Sequence, residues 1–338
     1  MKLLIFGLLF CMFCACGSDS ELMDQPILVR VPARFPAAQY PKDNEPSMLR
    51  VLLGRKLFYD NRLSSENNLN CGSCHVLSAA FTDGRATSVG MHGTFGRRNA
   101  PTLVNLAWSP RLMMEGGVPS LETQALAPLH DSLEMGTNMM VAVDKLNQDR
   151  ALRSLAKAAY NRDSIDPYVI TRALAAFQRT FISGDSRFDR YQQGIKNELN
   201  DNEIRGMELF FSEKTSCGSC HPDVLMTDHG YYNIGLYEVY SDHGKERATG
   251  KPQDIGKFKT PTLRNIALTS PYMHDGSIWS LQEVVAFFNE GGKSHANKDD
   301  RMRPLNLSTQ EQNDLVAFLQ SLTDWNFVQN QQLLPLVK

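Results

Sequence analysis

The pentapeptide Cys71-Gly72-Ser73-Cys74-His75 recurs unchanged as Cys217-Gly218-Ser219-Cys220-His221, and no other feature of the chain constrains its fold so strongly. Two thiols spaced by two residues and followed at once by histidine form the attachment pattern of c-type haem. The thiols take up the porphyrin vinyl groups, and the imidazole reaches the iron as proximal ligand. A zinc reading would need closed sets of four donors. Of seven cysteines, Cys11, Cys14 and Cys16 lie in the first sixteen residues and the other four make up the two motifs, so none remains for a thiolate-rich site. The spacing predicts two covalently bound c-type haems.

The start of the chain says where this chemistry takes place. Residues 1–16, MKLLIFGLLFCMFCAC, run from a lysine through an apolar stretch to small residues. That is a secretory signal, too short for a permanent bilayer-spanning helix. It ends at Phe13-Cys14-Ala15-Cys16-Gly17, which resembles a bacterial lipoprotein box with Phe13 and Cys14 imperfect in it; a plain signal peptidase site nearby is the alternative. The expected location is the periplasm, with a lipid anchor if the box is used. The mature chain keeps no cysteine for disulfides. A formal net charge of −2 leaves no basic footprint for nucleic acid.

In chain order, a Pro-rich approach (Pro32, Pro36, Pro41, Pro46) leads to Ser47, which can cap a helix over Met48–Tyr59. That helix delivers the first motif. Residues 76–100 are Gly-rich and aperiodic, which predicts a loop over the haem face. Helical spacing returns at Ser120–Leu129, Val141–Asn147, Ala151–Ala159 and Pro167–Ile182. Gly184-Asp185-Ser186 reads as a junction. A helix at Asp201–Phe211 then delivers the second motif, and Thr309–Leu322 closes the chain with an apolar face. Pro101-Thr102-Leu103-Val104-Asn105-Leu106-Ala107 matches Pro261-Thr262-Leu263-Arg264-Asn265-Ile266-Ala267. The match continues without a gap through Met113/Met273, Gly116/Gly276 and Ser120-Leu121/Ser280-Leu281. The expectation is an all-α chain of two cytochrome c-like haem domains related by internal duplication, spanning residues 22–185 and 186–325.

With these residues in hand, the chain resembles the bacterial di-haem cytochrome c peroxidase and MauG family over roughly Leu53–Leu322. The likeness rests on Gly54 through Ser64, both haem motifs and Arg98-Asn99-Ala100-Pro101-Thr102. It also rests on Leu121-Glu122-Thr123-Gln124-Ala125 with Glu134-Met135, and on Pro261 through Gly276. The resemblance implies that His75 is the proximal ligand of a peroxidatic haem and His221 that of an electron-transfer haem. It makes Gln124 and Glu134 the distal-pocket pair: splitting a peroxide moves a proton between its oxygens, which a carboxyl can relay and an amide can orient. It also implies a calcium site at Asn99 and the carbonyls of Thr269 and Pro271, which is reasonable hard-cation chemistry. The implied activity is reduction of hydrogen peroxide with electrons from a small c-type cytochrome or cupredoxin. A MauG-like oxidation of aromatic residues on a partner protein and a non-catalytic di-haem electron carrier are the alternatives. A homodimer is the implied assembly.

Three positions depart from the family. Its peroxidases place a distal histidine where this chain has Met91; the adjacent His92 is either a slipped equivalent or a loop histidine. The tryptophan usual between the haems falls at Met114. The far-side ligand of the second haem, methionine or tyrosine in the family, falls at Phe288, which has no lone pair to offer. Either another residue replaces it (His295, then Met273, Tyr272 or His274) or the second iron is five-coordinate.

Overall fold

A computed structural model describes residues 24–25, 29–222 and 224–336; the signal sequence and lipoprotein box lie outside the described residues. The chain is mostly helical. Its helices of eight or more residues are α1 (Met48–Phe58), α2 (Met139–Leu146), α3 (Arg150–Tyr160), α4 (Pro167–Gln178), α5 (Asp201–Phe210), α6 (Leu281–Glu290) and α7 (Thr309–Ser321). Among the described residues, the one sheet is a two-stranded ribbon of β1 (Tyr231–Tyr232) and β2 (Phe258–Lys259), antiparallel, with Tyr231 opposite Lys259. No helix among the described residues is long and apolar enough to cross a membrane.

Capping explains why the helices begin where they do. Ser47 Oγ accepts from the amide of Arg50 to open α1, and Asp166 accepts from Val169 to open α4, whose first residue is Pro167. Reciprocal capping boxes open α5 (Asn200 with Glu203), α6 (Ser280 with Glu283) and α7 (Ser308 with Glu311). Helical spacing placed the other ends to within a few residues, except for Ser120–Leu129, which is two short helices, Leu121–Gln124 and Leu126–His130. Pro167–Ile182 also stops early, at Gln178.

Two large hydrophobic cores result, beside a small cluster of Leu112, Leu121 and Ala175, and each large core contains one close helix crossing. In the first, α1 meets α4 at Gly54, where an added Cβ would lie 1.9 Å from the Ala173 carbonyl oxygen. In the second, α5 meets α7 at Gly206, where a Cβ would lie 1.9 Å from the Asp314 carbonyl oxygen. Only glycine permits either approach. The first core carries an aromatic cluster of Phe58, Phe81, Phe177 and Phe181, with Phe81 stacked on Phe181 at 4.0 Å. The second is built on Phe188, Phe210 and Phe318.

The chain end adds a further connection. Residues beyond 325, which the sequence reading gives to neither domain, return to the first core. Phe327, Val328 and Leu333 are buried in it, and Tyr59 Oη donates to the Leu333 carbonyl at 2.7 Å. At the junction, Ser183, Gly184 and Ser186 are buried and Asp185 is exposed, and the chain is pinned there: Asp324 Oδ2 accepts from Ser183 Oγ, Gly184 N and Asp185 N at 2.9–3.1 Å.

Candidate haem centres

The two motifs sit in matching local frameworks. His75 Nδ1 lies 2.8 Å from the carbonyl of Phe81, and His221 Nδ1 lies 2.9 Å from that of Met226. Each carbonyl therefore takes the Nδ1 proton, which leaves Nε2 with its lone pair for a metal. Burial lowers the pKa of both imidazoles, against the raising effect of those same bonds, and keeps them in the neutral, ligating form. Phe81 and Met226 reach these positions in the left-handed region, at φ 62° and 53°. The repeated Pro-Thr-Leu segments brace both turns: Thr102 Oγ1 donates to the Ala80 carbonyl at 2.6 Å, and Thr262 Oγ1 to that of Leu225 at 2.7 Å.

The correspondence continues along both repeats. Asn105 and Asn265 are left-handed (φ 59° and 61°), as are Met113 and Met273. Asn105 exchanges two hydrogen bonds with Ser183, while Asn265 Oδ1 accepts from the Asp324 amide and Nδ2 donates to Ser183 Oγ. Leu112 bridges Val118 just as Tyr272 bridges Ile278.

Cys217, Cys220 and His221 line a cavity of about 410 Å³ that extends past the second domain to Asn99, Thr102, Met113, Met114 and Gln124 of the first. Its wall is largely apolar, with Phe210, Leu281, Val284, Val285, Phe288, Leu315 and Leu319 on the second-domain side. Burial pushes the Cys71 thiol up to about 12, and Cys74 adds to the effect. Cys71, Cys74 and His75 do not line this cavity. At both motifs the paired cysteines and the lone pair left on each histidine fit c-type haem, and at the second the apolar wall fits it as well.

Gln124 lines this cavity, with Nε2 4.0 Å from Met113 Sδ. Glu134 follows the break between the two short helices. Burial, with Asp131 nearby, raises its carboxyl pKa, and it lies close enough to Cys74 to act on that thiol. His92 stands apart: its ring is exposed and Nδ1 is 3.0 Å from Glu66. The neighbouring Met91 is the buried residue, with its amide bonded to the Glu134 carbonyl at 2.9 Å.

His295 does not line the cavity. Its Nδ1 accepts from Asn233 Nδ2 at 3.1 Å and from the Asn297 amide at 3.0 Å, and its ring sits edge-on to Tyr240. Its loop, Gly291–His295, turns away because α6 ends on left-handed Gly291 and Gly292. Tyr272, Met273, His274 and Phe288 do line it, and so does Met302, which sequence reasoning passed over. Two further lining residues were missed, His229 and Lys259. Asn99, Thr269 and Pro271 share the same cavity wall, and Asn99 Nδ2 donates to the Arg85 carbonyl, so its Oδ1 is the atom left to accept. Nearby, Arg98 joins the domains by pairing with Asp242 (2.5 and 2.9 Å), and it also pairs with Glu115 of its own domain. Burial would raise Asp242, but Arg98 and the Gly244 amide outweigh it and the carboxyl falls to about 2.

Residues 49–197 match the family model for di-haem cytochrome c peroxidase, and residues 203–323 match that for cytochrome c. The chain is 36% identical to the cytochrome-c peroxidase IdrP1 of Pseudomonas sp. (strain SCT), over 86% of this chain and 85% of that protein. It is 33% identical to the methylamine utilization protein MauG of Methylophilus methylotrophus, over 83% and 84%. A solved structure of a MauG-like protein associated with microbial copper homeostasis superposes with a TM-score of 0.86 at 37% identity, covering 90% of this chain and 98% of that one. The chain belongs to the di-haem cytochrome c peroxidase family: two cytochrome c-like domains, two c-type haems and an oxidoreductase activity.

Proposed function

We propose that this family member reduces hydrogen peroxide to water at the haem of His75 and receives its electrons through the haem of His221. The supporting observation is the polar group beside the first motif: Glu134, its carboxyl raised by burial, lies close enough to Cys74 to act on it, while the apolar wall around the second motif has no counterpart to it. When bound, the haems supply the iron that accepts peroxide and a store of electrons. Everything else falls to the chain. Glu134, its carboxyl pKa raised by burial, can pass a proton from one peroxide oxygen to the other, and Gln124 can orient the molecule through its amide. The balance is one peroxide, two electrons and two protons giving two waters. His92, exposed and paired with Glu66, is given no part in this step. Stopped-flow consumption of peroxide in Glu134→Gln and Gln124→Leu tests the reading; unchanged rates in both, with two haems retained, would return these residues to packing roles.

A second reading is favoured by the likeness to the MauG-like structure. In it the two electrons per peroxide come from aromatic side chains of a partner protein. Turnover with a reduced small cytochrome or cupredoxin, set against oxidation of a candidate partner followed by mass spectrometry, separates the two.

We further infer calcium held by Asn99 Oδ1 and the carbonyls of Thr269 and Pro271, a homodimer, and a periplasmic location with Cys16 as lipid anchor. The repeated frameworks support an origin by internal duplication, with domains at 22–185 and 186–325 apart from the returning chain end.

A further inference from the structure

The second haem's cavity contains a polar pair that the proposed chemistry does not use. His229 and Lys259 both line it, on either side of the short ribbon, with Lys259 on β2 and His229 two residues ahead of β1. Both ring nitrogens of His229 are buried and have no hydrogen-bond partner. The Lys259 ammonium has a single partner, Ser109 Oγ at 3.2 Å, and among the described residues no carboxylate pairs with it. Asp228 is the nearest candidate in sequence, but it is engaged by Tyr232 Oη at 2.7 Å and the Gly230 amide at 2.8 Å. Buried donors in this state call for an acceptor.

We propose that His229 and Lys259 are the receptor for the propionate carboxylates of the second haem. The inference rests on Cys217, Cys220 and His221 carrying that haem. Thioether bonds to both cysteines fix one edge of the porphyrin, and the propionates project from the opposite edge. Arg301 belongs to the cysteine edge: it donates to Ser219 Oγ at 3.2 Å and is already paired with Asp299. Lys259 instead faces the first domain, where its amide donates to the Met114 carbonyl at 2.8 Å.

The backbone holds the pair in place. His229 adopts φ 56°, its amide donates to Thr227 Oγ1 at 3.0 Å, and Thr227 Oγ1 donates to the Thr260 carbonyl at 2.7 Å, next to Lys259. Electrostatics point the same way. Burial and the Lys259 charge pull His229 down to about 4, and burial pulls Lys259 down to about 8. A carboxylate between them would reverse both trends.

The test uses the holoprotein and three variants, Lys259→Met, Lys259→Arg and His229→Leu. Haem is counted first, by pyridine haemochrome and intact mass. A count of one in the wild type would sink the second-haem assignment itself, separately from this inference. With two haems present, Lys259→Met should shift the propionate bending modes of the second haem in resonance Raman spectra. It should also lower that haem's midpoint potential, because a cation that favours the ferrous state is gone. The change in the ferrous–ferric ratio should be on the order of tenfold for one nearby charge. Lys259→Arg should restore the potential, His229→Leu should shift the modes with a smaller change in potential, and the first haem should move in none of them. Wild-type modes and potential in both Lys259→Met and His229→Leu would overturn the proposal. If Lys259→Met does not retain the haem, Lys259→Gln takes its place, with the same shifts expected and the same wild-type result overturning the proposal.

Discussion

The segment after each repeated Pro-Thr-Leu motif starts alike in the two domains and then diverges. In the second domain, Leu281–Glu290 is one unbroken helix, and Val284, Val285 and Phe288 give the cavity an apolar wall. In the first, the same stretch is Leu121–Gln124 and Leu126–His130, with Gln124 where the second domain has Val284 and Pro128 where it has Phe288. A proline cannot donate the helical hydrogen bond, so the first segment breaks and turns. The turn at 131–136 carries Glu134 towards the first motif. A few side chains and one helix break thus make corresponding stretches of the two domains differ: one carries Gln124 and leads to Glu134, the other presents Val284, Val285 and Phe288.

The contrast between the domains breaks most visibly if the polar pair is removed. Glu134→Gln and Gln124→Leu should each slow peroxide reduction by about two to four powers of ten, read by stopped flow, with both haems retained. Val284→Gln, at the matching place in the second domain, should leave that rate unchanged. Next in size is the tie between the domains. Asp242 has its pKa depressed in the folded chain, so its pairing with Arg98 stabilises above the usual carboxylate range. That stability is lost as pH falls through about 2. Asp242→Asn should cost about 2 kcal/mol at neutral pH by chemical denaturation, and the difference should vanish in acid.

Smaller again is the effect of Glu134→Gln on stability, which runs opposite to its effect on rate. Burial raises this carboxyl, so the wild-type fold loses stability as pH rises and the group is forced to ionise. The variant should melt higher at neutral pH, and the gap should close as pH falls towards about 4. The smallest expected effect is at His295: replacing it with alanine should leave the electron paramagnetic resonance spectrum of the second haem as it was. A changed spectrum would bring its loop into the cavity and blur the contrast between the two haems.

Much of this was legible because the chemistry is written in contiguous residues. Both haem motifs, the repeated Pro-Thr-Leu-x-Asn segments and the helix starts at Ser47, Asn200 and Ser308 depend on short-range patterns. Gln124 could be placed by resemblance, and the structure puts it on the cavity. What stayed hidden depends on long-range placement. Phe81 and Met226 supply their carbonyls from left-handed conformations that no residue preference announces. Lys259 and His229, thirty residues apart, look in sequence like solvated surface groups until the ribbon joins them. His295, a histidine in a glycine-rich loop, has chemistry to offer but no address in sequence; in the fold its Nδ1 is bonded by Asn233 and Asn297. Met302 gave no signal, being one of fourteen methionines without a periodic context.

The return of the chain end to the first core also orders events in time. A chain emerges from its N-terminus, and the second core is complete once residue 322 has appeared. The first core, though earlier in sequence, still awaits Phe327, Val328 and Leu333. At about 1.5–3 kcal/mol for each fully buried side chain, those three are a large share of a domain's net stability. Its haem motif is thus made early, while the core behind it is completed only by residues 327–333.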